Sequence, residues 1–498
     1  MTQNPGDIKK GSPPQAVLGK EIKASHFFTI GFGCIIGVGW IIIIGEWLQA
    51  AGPLGSIIAF ASGAVVMMII GFCYAELATM MPVSGGEVAY TYEIYGLKSS
   101  YIIGWFLSLA YIASVSFEAV SAAWILNNLI GDFRGPLLYS IRGDGVYLGS
   151  LLFSLGGTLF LGFLNFRGIK EAAFFQKLTT YGLLLIAALF IPAGIIFGKT
   201  GNLEPLFAPE GLGPIFLGIL GVFIVVPFMY SGFQVIPQVM EEKSQKTSLA
   251  LAGRTIFYSI AGAAIFYILV ILSISMVQPW QNMMGADLPA AAAFRAAFKS
   301  PLVAKAVLLA GFLGIVTTWN SVFIAGSRVV FAFGRARIIP SAFSKIHPRF
   351  GTPSTAILFT IVIASCGILV GRSAILPIVN VAGGGYALAF IFSCLGVAKL
   401  RRRRPDLPRP YRAPGGLALP IAGFVLSILM VGLTIVQPYI ASPGRIPLEW
   451  IFIVIWTFLG ILFWMWARKI RYQVNEQERR DLIFGQIAGP CGPSAPKD

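Results

Sequence analysis

The chain has 498 residues, 56% of them hydrophobic and only 12% charged, which excludes a water-facing surface of ordinary charge density. Its net charge of +16 sits in Lys and Arg clusters beside apolar runs, so it reads as membrane topology and no nucleic-acid partner is expected. With two histidines, no H-E-x-x-H site and no Walker-type phosphate loop, the chain is not expected to be an enzyme or to hold a metal or cofactor.

Residues 1–24 are polar, contain Pro13 and Pro14, and lack the apolar centre of a cleavable signal, so they read as a cytoplasmic tail. Apolar stretches of roughly 20 residues then predict twelve spans, near 26–50, 54–79, 99–128, 145–164, 174–198, 214–239, 254–278, 303–334, 355–371, 376–399, 417–438 and 448–467. A charged and then Gly/Pro-rich tail, 469–498, closes the chain. Alternate connections carry most of the basic residues: Lys9, Lys10, Lys20 and Lys23; Arg401 to Arg404, Arg409 and Arg412; Arg468, Lys469 and Arg471. The positive-inside rule therefore predicts a multi-pass protein of the cell membrane with both termini cytoplasmic. An anionic-lipid site at Arg401 to Arg404 is the other reading of that cluster. Cys34, Cys73, Cys366, Cys394 and Cys491 show no metal-ligand spacing and none falls in a predicted external loop, so no disulfide framework is expected.

Span one carries Gly33, Gly37 and Gly39 near its middle, and span six carries Pro227, Gly232 and Pro237. Such residues weaken a helix interior by about 1 kcal/mol for Gly and about 3 kcal/mol for Pro. Unwound backbone at membrane depth is tolerated where it lines a cavity, and paired interrupted spans point to a transporter's binding site. In span one an outer half-helix starting near Gly39 presents its positive end to an anion such as a carboxylate; close helix packing through Gly33-x-x-x-Gly37 is the alternative. After span two, Ser84 and Glu87 have capping-box spacing, which predicts a helix start at the membrane surface.

Acidic residues inside spans are functional hypotheses because their burial is costly. Glu118 lies deepest, in span three, and reads as a proton carrier, a partner for a basic substrate group, or a structural carboxyl; Glu46 and Glu76 are expected to reach water. In span six, Phe228, Tyr230, Ser231 and Gly232 surround the break, with Glu241 and Glu242 at its end. In span eight, the hydroxyls of Thr317, Thr318 and Ser321 are placed to cage a sodium-sized cation with span-one carbonyls, or to hydrogen-bond between helices. Asn380 to Tyr386 in span ten, with three glycines, reads as a flexible or close-packed segment. The second break comes five spans after the first, so span one runs outward and span six inward, and two repeats built on them are inverted.

These residues resemble the amino acid, polyamine and organocation transporter superfamily, specifically its amino acid permeases, over about residues 20–470. The resemblance is carried by the Gly33 to Gly39 pattern, Tyr74-Ala75-Glu76-Leu77 through Pro82 and Gly85-Gly86-Glu87 to Tyr95-Gly96, Asn165-Phe166-Arg167-Gly168, Gly232-Phe233, Glu241-Glu242, Ser327-Arg328 and Phe350-Gly351-Thr352-Pro353. It implies an all-α membrane protein of about twelve helices in a LeuT-like 5+5 inverted repeat, with discontinuous helices 1 and 6. The transporter domain is then 25–468, with repeats at about 25–198 and 214–399 and two further helices at 417–467.

The resemblance also implies alternating access of a small amino acid or amine. The substrate carboxylate would meet amides nearest Val38 and Gly39, its amino group carbonyls of Ile35, Phe228 and Ser231, and Phe228 would close over it. The substrate-site set is thus Ile35, Gly37, Val38, Gly39, Trp40, Phe228, Tyr230, Ser231 and Gly232, with Glu118, Thr317, Thr318 and Ser321 as coupling-ion candidates. The chain departs from the pattern in three places. Leu183 stands where some proton-coupled relatives carry a lysine, with Lys177 nearer the cytoplasm; Trp40 replaces a smaller aliphatic residue and is expected to narrow the pocket; Gln234 replaces a common acid. Ion-coupled uptake of an amino acid, by proton or sodium, is the expected function, with amino acid/amine exchange as the alternative and a non-transporting sensor as a third.

Overall fold

A chain buried in hydrocarbon must satisfy its backbone groups internally, and long apolar runs do so as helices. The computed structural model describes residues 17–485 apart from 142, 209, 442, 443 and 445, and omits the side chains of 372–376 and 440–441. Among the described residues eleven helices are long and apolar enough to cross a membrane, and Ser354–Leu369 adds a shorter apolar one, giving the twelve spans expected. Lys9, Lys10, Pro13, Pro14 and Cys491 lie outside the described residues; the four described cysteines are free thiols.

Span one begins at Ala24, breaks after Ile35 and resumes at Gly39; span six runs Leu212–Met229, breaks, and resumes as Val235–Gln238. The glycines and prolines thus act where the sequence places them. Helix continues from Ile44 to Met80, but Gly52 within it has φ 72°, and a Cβ built there would lie 2.6 to 2.7 Å from the backbone of Leu206, Phe207 and Ala208. Gly52 is therefore the turn between spans one and two. Span three is Leu97–Ile130, span four Leu148–Arg167, span five Ile169–Phe197, span seven Leu249–Val277 and span eight Pro301–Arg335. Spans ten to twelve are Arg372–Arg403, Ala418–Ala441 and Leu448–Trp466. Span one sits among spans five, seven and eight, while span three packs on spans eight and ten. Span ten stays helical through its three glycines, where Gly383 admits the Phe228 ring, Gly384 Thr434, and Gly385 the Phe106 backbone. They are packing contacts.

One element departs from the all-helical pattern. Strand β1, Leu137–Ile141, pairs antiparallel with β2, Asp144–Tyr147, between spans three and four, and Tyr139 Oη donates to the Leu369 carbonyl at 2.6 Å.

At the arginine-rich end three sequence expectations change. Glu76 does not reach water: it is 1% exposed, paired with Arg401 and Arg409, and accepts from the Ala413 N–H at 2.8 Å. Two members of the basic cluster after span ten thus bind a carboxylate inside the protein. The Ser84–Glu87 capping box does not form; the helix Glu87–Tyr95 starts from Gly86, and Ser84 Oγ donates instead to the Gln238 carbonyl at 3.2 Å. Glu241 and Glu242 pair with Arg335 and Arg328, each through two hydrogen bonds of 2.8 to 3.0 Å, and the Arg328–Glu242 side chains are fully buried. Residues on either side of the membrane domain, near Ile22 and Arg480, pack on this face. Ile22 N–H donates to the Glu242 carbonyl and Ser244 N–H to the Ile22 carbonyl, both at 2.9 Å, and in the helix Glu476–Phe484 Arg480 pairs with Glu93.

Candidate substrate site between two broken helices

The two breaks lie against each other. Gly232 has φ 147°, and a Cβ built on it would stand 2.7 Å from the Cys34 carbonyl carbon and the Ile35 nitrogen, so only glycine lets the span-six turn approach the span-one backbone this closely. Tyr267 of span seven joins them, its Oη lying 3.1 Å from the Ile35 carbonyl and 3.2 Å from that of Met229. Tyr267 was not legible in the sequence, where it is one aromatic in an apolar run.

In span one, Gly37 N–H turns back to the Ile35 carbonyl at 3.0 Å, and the chain re-enters a helix at Gly39. Among the described residues the N–H groups of Val38, Gly39 and Trp40 donate to no backbone carbonyl across the break. These are the orphan donors of a helix start. Met229 Sδ packs on Gly39, 2.6 Å from where its Cβ would stand. Glu118 reaches the break from span three: its Oε1 is 3.8 Å and Thr318 Oγ1 3.2 Å from a Cβ built on Gly37. Glu118 is 6% exposed, and its Oε2 is buried without a hydrogen-bond partner.

The inner half of span one is held by side chains. Thr317 Oγ1 donates to the Gly33 carbonyl at 2.9 Å; Thr318 Oγ1 is 3.1 Å from the Gly33 carbonyl and 3.3 Å from that of Cys34; Ser321 Oγ donates to the Ile30 carbonyl at 3.1 Å. From span five, Gln176 Nε2 donates to the Thr29 carbonyl at 3.0 Å and Thr180 Oγ1 to the same oxygen at 3.3 Å. Asn320 Nδ2 donates to Gln176 Oε1 at 2.9 Å, and Asn165 Nδ2 to Asn320 Oδ1 at 3.2 Å. Leu183, fully buried, lies one helical turn beyond Thr180, so amide and hydroxyl groups on span five meet this backbone.

The remaining residues of the expected set are distributed around the break. Trp40 is fully buried away from it, stacked on Phe190 at 5.6 Å and edge-on to Phe266, so its ring belongs to an aromatic cluster with spans five and seven and does not narrow the cleft as expected. Phe228 is 40% exposed and lines a cavity of about 150 Å³ with Ser231, Asn380, Thr434 and Gln437, to one side of the cleft. Tyr230 is buried, with its Oη donating to the Phe60 carbonyl at 3.2 Å, and Ser231 Oγ donates to the Pro227 carbonyl at 3.1 Å. Gln234, in place of an acid, accepts the Gly232 N–H at 2.7 Å and shapes the turn.

The sequence profile of the amino acid permease family matches residues 24–465. The chain belongs to that family. Among similar permeases and transporters, a branched-chain amino acid permease of Bacillus subtilis strain 168 is 28% identical over 484 residues, covering 93% of this chain and 96% of the relative. A methylthioribose transporter of the same organism is 26% identical over 457 residues, covering 91% and 94%. The human Asc-type amino acid transporter 1 is 26% identical over 512 residues, covering 97% and 92%. In a transporter, paired interrupted spans in contact are a pointer to the binding site.

Proposed function

We propose that this permease carries an amino acid across the cell membrane by alternating access, with its arginine-rich face and both termini in the cytoplasm. The observation that carries the reading is the set of Val38, Gly39 and Trp40 amides beside the Gly232–Cys34 contact. Those donors suit a substrate carboxylate. The ammonium then falls near Glu118 and the carbonyls around Ser231, with Met229 displaced from above Gly39. A neutral side chain is favoured, since Glu118 is the carboxyl facing the break and Gln234 takes the place of an acid; a branched-chain permease among the relatives supports that choice.

Uptake is coupled to a proton carried by Glu118. Its buried oxygen without a partner favours the acid form, because an ionised carboxylate at membrane depth costs at least a few kcal/mol. The span-eight hydroxyls already donate to span-one carbonyls, which supports sodium there less well.

The test is uptake of labelled leucine, and of other neutral amino acids, into vesicles containing the purified protein under separate proton and sodium gradients. Accumulation driven by the proton gradient, abolished in Glu118→Gln, is expected, and Gly39→Leu should remove binding in a thermal-shift assay. Accumulation driven by sodium alone moves coupling to Thr317, Thr318 and Ser321. Uptake only into vesicles preloaded with substrate makes the protein an exchanger.

A further inference from the structure

The inner piece of span six carries an incomplete polar pair. Glu87, the first residue of the helix after span two, is fully buried, and its Oε2 accepts a hydrogen bond from Gln238 Nε2 on the inner piece of span six. Two oxygens of this pair, Glu87 Oε1 and Gln238 Oε1, are buried with no partner. Both are acceptors, and one hydrogen added between them satisfies the two at once; the buried hydroxyls of Tyr74 and Tyr90 beside Glu87 are the other donors at hand. One proton on Glu87 Oε1, donated to Gln238 Oε1, closes a carboxylic acid–amide ring with two hydrogen bonds and no orphan oxygen. A buried polar atom left without a partner carries its full desolvation cost, so the ring form is preferred.

Resting on the transporter reading, we propose that the Glu87–Gln238 pair is a proton-binding site in the inner gate, which takes up one proton from cytoplasmic water when the gate closes and returns it when the gate opens.

The surroundings support neutral Glu87. Span two presents Tyr74, the helix itself Tyr90 and span three Tyr111. Ser393 of span ten stands by Tyr74. The cations of span eight are engaged elsewhere, Arg335 by Glu241 and Arg328 by Glu242, and Glu87 forms no salt bridge among the described residues. Burial pushes the Glu87 carboxyl up to about 8, against its own N–H at the helix start, the neighbouring Tyr74 hydroxyl and the Gln238 amide, all of which favour the carboxylate. The site is also mechanically placed: Ser84, three residues before Glu87, donates twice to the inner end of span six, its N–H to Glu241 at 2.7 Å and its Oγ to the Gln238 carbonyl. Moving the inner piece of span six therefore parts Gln238 from Glu87 and admits water.

The sign follows. Closed, the acid loses its proton only near pH 8; open and hydrated, it titrates like an ordinary carboxylate. Between those limits the open-to-closed ratio rises about tenfold per pH unit, and above the higher one it levels off.

Two measurements on the full-length protein in lipid test this without any substrate. Infrared difference spectra should show a carboxylic acid C=O band that vanishes on raising the pH through about 8 and is missing in Glu87→Gln. Spin-label distances between Lys246→Cys and Lys345→Cys, with the exposed Cys366 changed to Ser, should show the open population rising with pH in wild type. They should be flat in Glu87→Gln, whose amide–amide pair needs no proton. Should that variant not fold, Gln238→Leu keeps the acid and is expected to shift its band to that of an acid without a hydrogen bond. No Glu87-dependent band, an unshifted band in Gln238→Leu, or wild-type pH dependence in Glu87→Gln overturns the proposal. Failure of transport itself is read separately, from vesicle uptake.

Discussion

Around the span-one break polar groups are left over: the amides of Val38 to Trp40 and one oxygen of Glu118. At the end of span six the carboxylates are consumed, Glu241 by Arg335 and Ser84, Glu242 by Arg328. The difference separates a region with spare hydrogen-bonding capacity from one whose charges are spent on each other. On the proposed reading the leftover donors receive a ligand, whereas the buried pairs hold the inner end closed only while both members stay together.

The comparison breaks most severely at Arg328. Removing one member of a buried pair costs about 3–5 kcal/mol, so Arg328→Ala should lower the thermal midpoint of the detergent-purified protein sharply. Arg328→Met with Glu242→Leu should recover much of that loss; equal loss in both would show that the charges themselves are required. Next comes Gly232→Val, which forces a side chain against Cys34 and Ile35 at a φ suited to glycine. Overpacking of about 1–3 kcal/mol is expected, with ligand binding lost while the ion-paired end stays closed to thiol reagents. The smallest effect is Tyr267→Phe, which removes one hydroxyl between the Ile35 and Met229 carbonyls. At about 0.5–1.5 kcal/mol for a hydrogen bond, it should weaken binding severalfold by titration calorimetry and leave the thermal midpoint of the ligand-free protein nearly unchanged.

Features written in consecutive residues were legible. Runs of apolar residues fixed the spans, and the glycines and prolines of spans one and six fixed the breaks, because propensity acts locally. Partners far apart in the chain were not. Glu76 reads as a residue near water until Arg401, 325 positions later, folds back on it. The Ser84–Glu87 spacing is a true capping signature locally, but the Ser84 hydroxyl and the Glu87 carboxyl find partners on span six. Trp40 looked like a pocket residue by its neighbours in sequence; stacking on Phe190 from span five decides its direction. The hairpin at 137–147 is short and flanked by helices, so its pairing leaves little periodic signal.

Residues 17–23 precede the first apolar run, yet Gly19 N–H donates to the Gly351 carbonyl and Ile22 is hydrogen-bonded on both sides to the stretch that follows span six. A shortened protein starting at Ala24 would retain every transmembrane helix and still lose a strap across the segment that follows span six. Affinity handles and fluorescent fusions at that terminus would pull on the same strap. Turnover measured with such appendages reports the appendage as well as the permease, and a cleaved sample is the fair reference for kinetics.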